Sequence, residues 1–175
     1  MWTIEGVHHT AIIVKDLDQS IYFYHDTLGL PFDREPSPWF EGPELARGVG
    51  VPGASLRQVC LRIGVDILEL LEYGNPPDPN DTPPTQNQLG AMHLALRVDD
   101  VATTKRELEG KGVKFLSDVN VVDQGVLAGW RWVYLKDPDG ITVELVEEAY
   151  SEPGKRPAGI AAYLASRPPQ VSTSR

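Results

Sequence analysis

Two short stretches of the sequence carry a histidine in the same setting. Residues 6–16 read GVHHTAIIVKD, and residues 90–100 read GAMHLALRVDD. Aligned on His9 and His93, both follow the pattern His-x-Ala-x-x-Val-x-Asp and then an aliphatic residue. An imidazole can ligate a metal ion or carry a proton near neutral pH. A histidine that recurs at one place in two repeats is therefore a candidate for such chemistry.

A glutamate recurs as well, near the end of each repeat. Residues 67–72 read ILELLE and residues 142–147 read TVELVE, so that Glu69 and Glu144 hold matched positions in apolar runs. A carboxylate in the middle of an apolar strand is costly to bury unless something compensates for its charge. A shared cation would do so at both positions.

Two imidazoles and two carboxylates related by an internal repeat form a donor set suited to one divalent metal ion. The predicted ligands are His9, Glu69, His93 and Glu144. Zinc, nickel, cobalt, manganese and iron all accept these donors, so the ligand types do not select one metal. The neighbouring His8 has Met92 as its counterpart and is predicted to be a strand-end residue on the opposite face.

The repeat extends to the elements that must position these residues. Each half is predicted to be a βαβββ module, which gives an α+β fold of two tandem modules that share one core. Asp16 and Asp100 are predicted helix caps. Helices are predicted at 18–28 and 101–110; strands are predicted around His9 and His93 and at 29–32, 54–63, 65–73, 112–115, 128–136 and 140–148.

Pro, Gly, Asn and Asp mark the boundaries of the modules. One domain is predicted over 5–148, with module 1 at about 5–73, a linker at 74–90 and module 2 at about 91–148. Residues 33–53 form an insertion without a counterpart in module 2, in which Trp39 and Phe40 either cover a ligand or anchor the loop. The tail at 149–175 is predicted to be partly mobile.

The composition excludes several classes of function. The 175 residues carry a net charge of −9 and no basic cluster, which argues against nucleic acid as a partner. No apolar run approaches the roughly 20 residues that span a membrane. Cys60 is the single cysteine and is predicted to be a buried strand residue. We expect a cytoplasmic protein that acts on a small molecule without a membrane partner.

Three stretches carry a resemblance to a known family. HHTAIIVKDLDQSIYFYHDTLGL, MHLALRVDDV and KDPDGITVELVE resemble the vicinal oxygen chelate superfamily, which includes glyoxalase I, methylmalonyl-CoA epimerase, extradiol dioxygenases and bleomycin-binding proteins. The resemblance implies that the paired modules curve into an open eight-stranded cup. It implies metal ligands at His9, Glu69, His93 and Glu144, a set that resembles glyoxalase I most closely, and a homodimer.

The glyoxalase-like hypothesis implies a metal-dependent lyase or isomerase. Its substrate would chelate the metal through two adjacent oxygens and pass through a metal-bound enediolate. Glu144 or Glu69 would act as the base, with Glu144 favoured.

The sequence also contains candidate residues for contact with a substrate. Bacterial glyoxalase I enzymes usually have an arginine where this chain has Ile13, which argues against glutathione as the substrate. Arg97, at the matched position of module 2, is predicted either to bind a substrate anion or to form a structural ion pair. Trp130, Trp132 and Tyr134 alternate along one strand and either line the cup as an aromatic wall or belong to the core.

Two alternatives remain open from the sequence. An Fe²⁺-dependent dioxygenase of the extradiol type would use His9, His93 and Glu144 and would consume oxygen. A metal-free binding or antibiotic resistance protein would need none of the four ligands. Retention of all four argues against this last reading.

Overall fold

The computed structural model describes residues 3–80 and 82–149, and within them nine strands form two sheets. Module 1 contains β1 (Thr10–Val14), β2 (Phe32–Arg34), β3 (Phe40–Glu41), β4 (Ser55–Ile63) and β5 (Asp66–Asn75). Module 2 contains β6 (His93–Arg97), β7 (Asn120–Val121), β8 (Arg131–Lys136) and β9 (Thr142–Glu147). The helices are α1 (Leu17–Ile21), α2 (Pro43–Val49) and α3 (Val101–Gly110). The predicted tail lies outside the described residues from residue 150 onwards.

The two sheets have the same topology. Their strand orders are β1-β5-β4-β2 and β6-β9-β8-β7, and β3 is added beside β4 in the first sheet. In each module the first strand runs parallel to the last, whereas the other neighbours are antiparallel. The predicted α+β class with two βαβββ modules is confirmed.

Matched aspartates begin helices α1 and α3. The Asp16 carboxylate accepts the N–H of Gln19 at 3.0 Å, and the Asp100 carboxylate accepts that of Thr103 at 2.9 Å. Both predicted caps are thus confirmed, because each satisfies an N–H group that has no partner within its helix. Helix α1 continues as a π-helical segment at Tyr22–Thr27. Among the described residues, no helix has the length and apolar character needed to cross a membrane.

A second glutamate in each repeat joins the last strand to the helix. Glu72 Oε2 accepts the N–H of Leu17 at 2.7 Å, and Glu147 Oε2 accepts the N–H of Val101 at 3.0 Å. The Arg57 side chain donates to Glu72 as well, from Nε at 2.9 Å. These contacts fix the start of each helix against its own sheet.

One hydrophobic core lies between the two modules. It is built from aliphatic residues on one face of each sheet together with helix residues: Leu17, Tyr24, Leu68, Leu70, Val101, Val133, Leu135, Val143 and Leu145 are all nearly or fully buried. We call the opposite face of each sheet, turned away from this core, its outer face. Because the helices and the inner faces form a single cluster, the two outer faces point away from each other.

Three segments differ from the predicted elements. The second strand of module 1 was expected at 29–32, whereas β2 lies at Phe32–Arg34. A second strand of module 2 was expected at 112–115, but there Phe115 forms only an isolated bridge to Leu135, and the strand proper is β7. The polar pair Ser117 and Asp118 interrupts the pairing, since the Ser117 hydroxyl donates to the Asp118 carbonyl at 2.8 Å. The predicted insertion at 33–53 contains β3 and α2.

Candidate functional site

The first predicted histidine and glutamate meet on the outer face of the first sheet. His9 lies directly before β1, and Ala11 is in register with Glu69 on the parallel strand β5. His9 Nε2 lies 3.3 Å from Glu69 Oε2. The small side chain of Ala11 leaves the space between the imidazole and the carboxylate open. We call these two residues the first half-site.

The second pair has the same construction. His93 opens β6, and Ala95 is in register with Glu144 on β9. His93 Nε2 lies 3.0 Å from Glu144 Oε2, with 37% of the imidazole and 14% of the carboxylate side chain exposed. We call these residues the second half-site. A histidine and a glutamate are therefore in contact at matched positions of both modules.

The spacing within each half-site suits two ligands of one cation. Metal–ligand bonds of about 2.1 Å place neighbouring donor atoms about 3.0 Å apart at right angles and about 3.4 Å apart in a tetrahedron. The observed 3.3 and 3.0 Å fall within this range. The chemistry of the donors and their spacing both fit a divalent ion, although each half-site supplies only two ligands.

The structure does not bring the two half-sites together within one chain. In residues 3–80 and 82–149, no group of three or more His, Cys, Asp or Glu side chains is placed to hold a metal ion. The half-sites lie on outer faces that point away from each other. Four ligands to one ion would thus need another arrangement of the modules or a second copy of the chain.

Aromatic side chains line the outer face beside the second half-site. Tyr134 on β8 is in register with Glu144, and its ring centroid lies 5.5 Å from that of His93. Trp132 packs against Tyr134 at 4.9 Å, whereas Trp130 directly precedes the strand. Burial and then the Glu144 charge raise the pKa of Tyr134. Trp132 and Tyr134 lie on the outer face, because the intervening Val133 occupies the core. Their contact with a substrate stays a prediction.

The first half-site has a different neighbour at the matched position. Cys60 on β4 is in register with Glu69, as Tyr134 is with Glu144. The thiol is buried as predicted, and burial together with the Glu69 charge raises its pKa. Sequence reasoning missed this contact, because cross-strand register cannot be read from one strand alone. The two half-sites have the same two residue types but different neighbours.

Ile13 and Arg97 occupy the equivalent ends of the two outer faces. Ile13 follows Ala11 by two residues on β1 and is 49% exposed. Arg97 is in register with Val146, and its guanidinium lies 3.9 Å from Glu148. Arg97 therefore has a weak ion pair and remains accessible, so that its role towards a substrate stays a prediction.

His8 is in contact with the first half-site, contrary to its predicted place on the opposite face. Its Nδ1 lies 2.8 Å from Nδ1 of His9. The strand begins only at Thr10, so the alternation of faces does not extend back to His8.

Trp39 lies away from both half-sites. Its ring packs over the guanidinium of Arg57 at 5.3 Å, and Arg57 is in register with Glu72 on the face opposite Glu69. The Trp39 ring also packs against Gly74 of β5. A Cβ atom at this position would lie only 2.8 Å from the ring, so the lack of a side chain at Gly74 makes room for the indole. Trp39 thus anchors the insertion rather than covering the candidate site.

A cleft of about 680 Å³ lies between the linker and the ends of β1 and β5. Ile13, Tyr73 and Asp139 contribute to its wall, but none of the four predicted ligands does. The His9 and His93 side chains are 42% and 37% exposed, so both half-sites are accessible to solvent in the single chain.

Several known proteins are similar to this chain in sequence or in fold. A 2-epi-5-epi-valiolone epimerase from Actinomyces sp is 33% identical over 90% of this chain and 87% of its own length. A probable lactoylglutathione lyase from Synechocystis is 29% identical over 79% of this chain and 92% of its own. A solved glyoxalase family protein from Bacillus cereus shares the fold, with a TM-score of 0.68 and 23% identity over 83% of this chain and 95% of that one.

The family model of the Glyoxalase/Bleomycin resistance protein/Dioxygenase superfamily matches residues 6–145. The match includes both half-sites and the two modules that carry them. Relatives, fold and repeated sequence agree, and the chain belongs to this superfamily.

Proposed function

We propose that the protein is a metal-dependent isomerase or lyase that acts on a small substrate with two adjacent oxygens. It would remove a proton from the carbon next to a carbonyl group and return it to the same or the neighbouring carbon. The observation that carries this proposal is the occurrence of a histidine–glutamate pair at ligand spacing on matched positions of both sheets. The relatives, named as epimerases and lyases, support this class of reaction.

The four residues of the two half-sites would hold the metal. A bound divalent cation would draw electron density from the adjacent substrate oxygens and thereby acidify the neighbouring C–H group. Zinc, nickel, cobalt, manganese and iron all suit two imidazoles and two carboxylates.

The site would be shared between two copies of the chain. Each outer face offers two ligands, and a twofold axis would bring the first half-site of one copy against the second half-site of the other. Such a dimer would form two equivalent sites and would cover faces that are open in the single chain. This proposal accounts for the separation of the half-sites without any rearrangement of the shared core.

The carboxylates would carry the proton. Glu144 is our candidate base, because the wall of Trp132 and Tyr134 beside it would exclude water from the reacting carbon. Glu69 would approach from the other half-site and return the proton. Return to the opposite side of the same carbon gives epimerisation, and return to the neighbouring carbon gives the product of a glyoxalase-type reaction.

Glutathione is a poor candidate for the substrate. Ile13 presents an apolar side chain at the place where an arginine would hold a glutathione carboxylate. Arg97, on the other outer face, would instead bind a carboxylate or phosphate of the substrate. We therefore propose a substrate without glutathione, in which the two adjacent oxygens are those of a hydroxyketone or a related acyl group.

Metal analysis tests the proposal directly. Protein purified without chelator should contain stoichiometric divalent metal, and both His9→Ala and Glu144→Ala should lower this content. His25→Gln provides the control, because the imidazole of His25 bonds to the Leu30 carbonyl at 2.7 Å and belongs to neither half-site. Circular dichroism should show that all three variants are folded.

Three results would overturn the proposal. Unchanged metal content in both His9→Ala and Glu144→Ala would remove the ligand assignment. Wild-type protein that takes up no metal even when supplied with zinc, nickel, cobalt, manganese or iron would support a metal-free binding protein instead. Consumption of oxygen with a catechol would favour the dioxygenase alternative over proton transfer.

A further inference from the structure

The imidazoles of His8 and His9 contact each other through the same type of nitrogen. The two Nδ1 atoms lie 2.8 Å apart, and the rings stand nearly perpendicular, at 84°. Two such nitrogens form a hydrogen bond only when one carries a proton and the other offers a lone pair. The short distance therefore fixes a donor and an acceptor within the pair.

His9 has polar contacts at both of its nitrogens. Nδ1 faces His8, whereas Nε2 lies 3.3 Å from Glu69. Without a cation, Nε2 can donate its proton to the carboxylate while Nδ1 accepts from His8. A cation at Nε2 needs the lone pair there, so the proton must then reside on Nδ1, where His8 accepts it.

We propose that His8 is a positioning residue that holds the ring of His9 with Nε2 directed at the metal. The inference rests on the proposed function and adds a residue to the same site. An imidazole suits this task because its Nδ1 can either donate or accept. His8 therefore satisfies His9 both before and after a cation binds.

The second half-site lacks this contact. Met92 stands where His8 would be, and its thioether offers only a weak acceptor. His93 instead has the Tyr134 ring beside it. The positioning contact thus belongs to the first half-site, and the chain provides its own matched control.

Zinc affinity, measured by competition with a chelator, tests the proposal. His8→Phe keeps an aromatic ring but removes the acceptor, and it should weaken zinc binding by about 10- to 100-fold, as is typical when a ligand histidine loses its outer partner. His8→Asn places an amide oxygen and nitrogen at the level of Nδ1 and should restore most of the affinity. Met92→Leu should bind zinc as the wild-type protein does.

A second measurement detects the hydrogen bond between the two imidazoles itself. Nuclear magnetic resonance of metal-free wild-type protein should detect a scalar coupling between the two Nδ1 nuclei across the hydrogen bond. In the zinc-loaded protein the His9 Nδ1 proton should exchange slowly with water, and it should exchange rapidly in His8→Phe. If His8 acted only by packing against His9, wild-type protein would show no coupling, and His8→Phe would leave the exchange rate of the His9 Nδ1 proton unchanged.

The two proposals can fail separately. If wild-type protein binds zinc and His8→Phe binds it equally well, the role of His8 is overturned while the proposed function stands. Absence of the Nδ1 coupling in both the metal-free and the zinc-loaded protein has the same meaning. If wild-type protein binds none of the candidate metals, the proposed function fails, and the positioning role falls with it.

Discussion

At the scale of single residues, each module uses two glutamates three positions apart for different tasks. Glu69 and Glu144 face the histidines on the outer faces, whereas Glu72 and Glu147 face the helices. Three positions along a strand reverse the side on which a residue lies. One glutamate in each pair is thus available for chemistry, and the other stabilises the fold.

Substitution of Glu72 should separate these tasks. Glu72→Ala removes the acceptor for the Leu17 N–H and for Arg57, and it should lower the free energy of unfolding by about 1–3 kcal/mol. Its metal content should equal that of the wild-type protein. Urea unfolding and metal analysis of the same preparation would measure both effects.

Glu69→Ala is the matched control for Glu72→Ala. It should lose metal, yet it removes no helix contact and should change the free energy of unfolding less in the metal-free state. Loss of metal in Glu72→Ala with unchanged stability would contradict the division of tasks.

The repeat was enough to single out the four proposed ligands, but not their surroundings. His9, Glu69, His93 and Glu144 stand out because the same residue type recurs in the same pattern. The contacts of Cys60 and Tyr134 depend on strand register, which two distant segments determine together. The contact of His8 depends on where β1 begins, and boundaries of elements are poorly specified by local sequence.

At the scale of elements, a buried carboxylate ties the turn after β8 to the first helix. Asp137 accepts the N–H of Ile141 at 2.7 Å and that of Asp139 at 3.0 Å. Its other oxygen accepts the Tyr24 hydroxyl at 3.0 Å. Tyr24 belongs to module 1 and Asp137 to module 2, so this contact crosses the core between them.

The pKa of Asp137 predicts how this junction responds to pH. Burial raises the pKa, and the hydrogen bonds from Ile141 and Tyr24 only partly oppose it. The folded state therefore holds the proton more tightly than the unfolded state. The stability contributed by this group is greatest below the ordinary carboxyl value and is lost as pH rises through the raised pKa.

Comparison of wild-type protein with Asp137→Asn should reveal this dependence. As pH rises above the ordinary carboxyl pKa, the stability of the wild-type protein relative to the variant should fall while Asp137 ionises. Urea unfolding at several pH values would measure the difference. A relative stability that rises with pH would mean that hydrogen bonding outweighs burial and lowers the pKa.

Strands in apolar or repeated stretches of sequence were predictable, including β1 and β6, whereas the two shortest strands were not. Strands β4, β5 and β9 coincide with long runs of apolar and β-branched residues. Such residues pack well against neighbouring strands and against the core. Strands β3 and β7 are two residues long and lie at sheet edges. Their positions depend on the polar turns around them and on the anchoring of Trp39, which carry little periodic signal.

At the scale of the whole molecule, a single core holds the two modules with their half-sites facing outward. The proposed dimer makes a prediction that a site within one chain does not. A mixture of His9→Ala and His93→Ala chains can form mixed dimers. In each of these, one site combines the intact first half-site of the His93→Ala chain with the intact second half-site of the His9→Ala chain.

Unfolding and refolding the two variants together should therefore restore metal binding. Half of randomly formed dimers are mixed, and one of the two sites in each is intact, so metal content should recover to about a quarter of the wild-type level. Each variant refolded alone should bind little metal.

The control mixture combines His9→Ala with Glu69→Ala, which damage the same half-site. No exchange of chains can produce an intact site from these two variants. Recovery in the control, or none in the His9→Ala and His93→Ala mixture, would argue against a shared site.

The unequal neighbours of the two matched glutamates have a stereochemical consequence. Four ligands with strict twofold symmetry would offer a substrate two equivalent orientations, related by half a turn. Tyr134 beside Glu144 and Cys60 beside Glu69 would remove this equivalence, because the proposed ion would have an aromatic ring on one side and a small thiol on the other. A site assembled in the proposed way would distinguish the two ends of its substrate, and would therefore act on one carbon with a defined handedness.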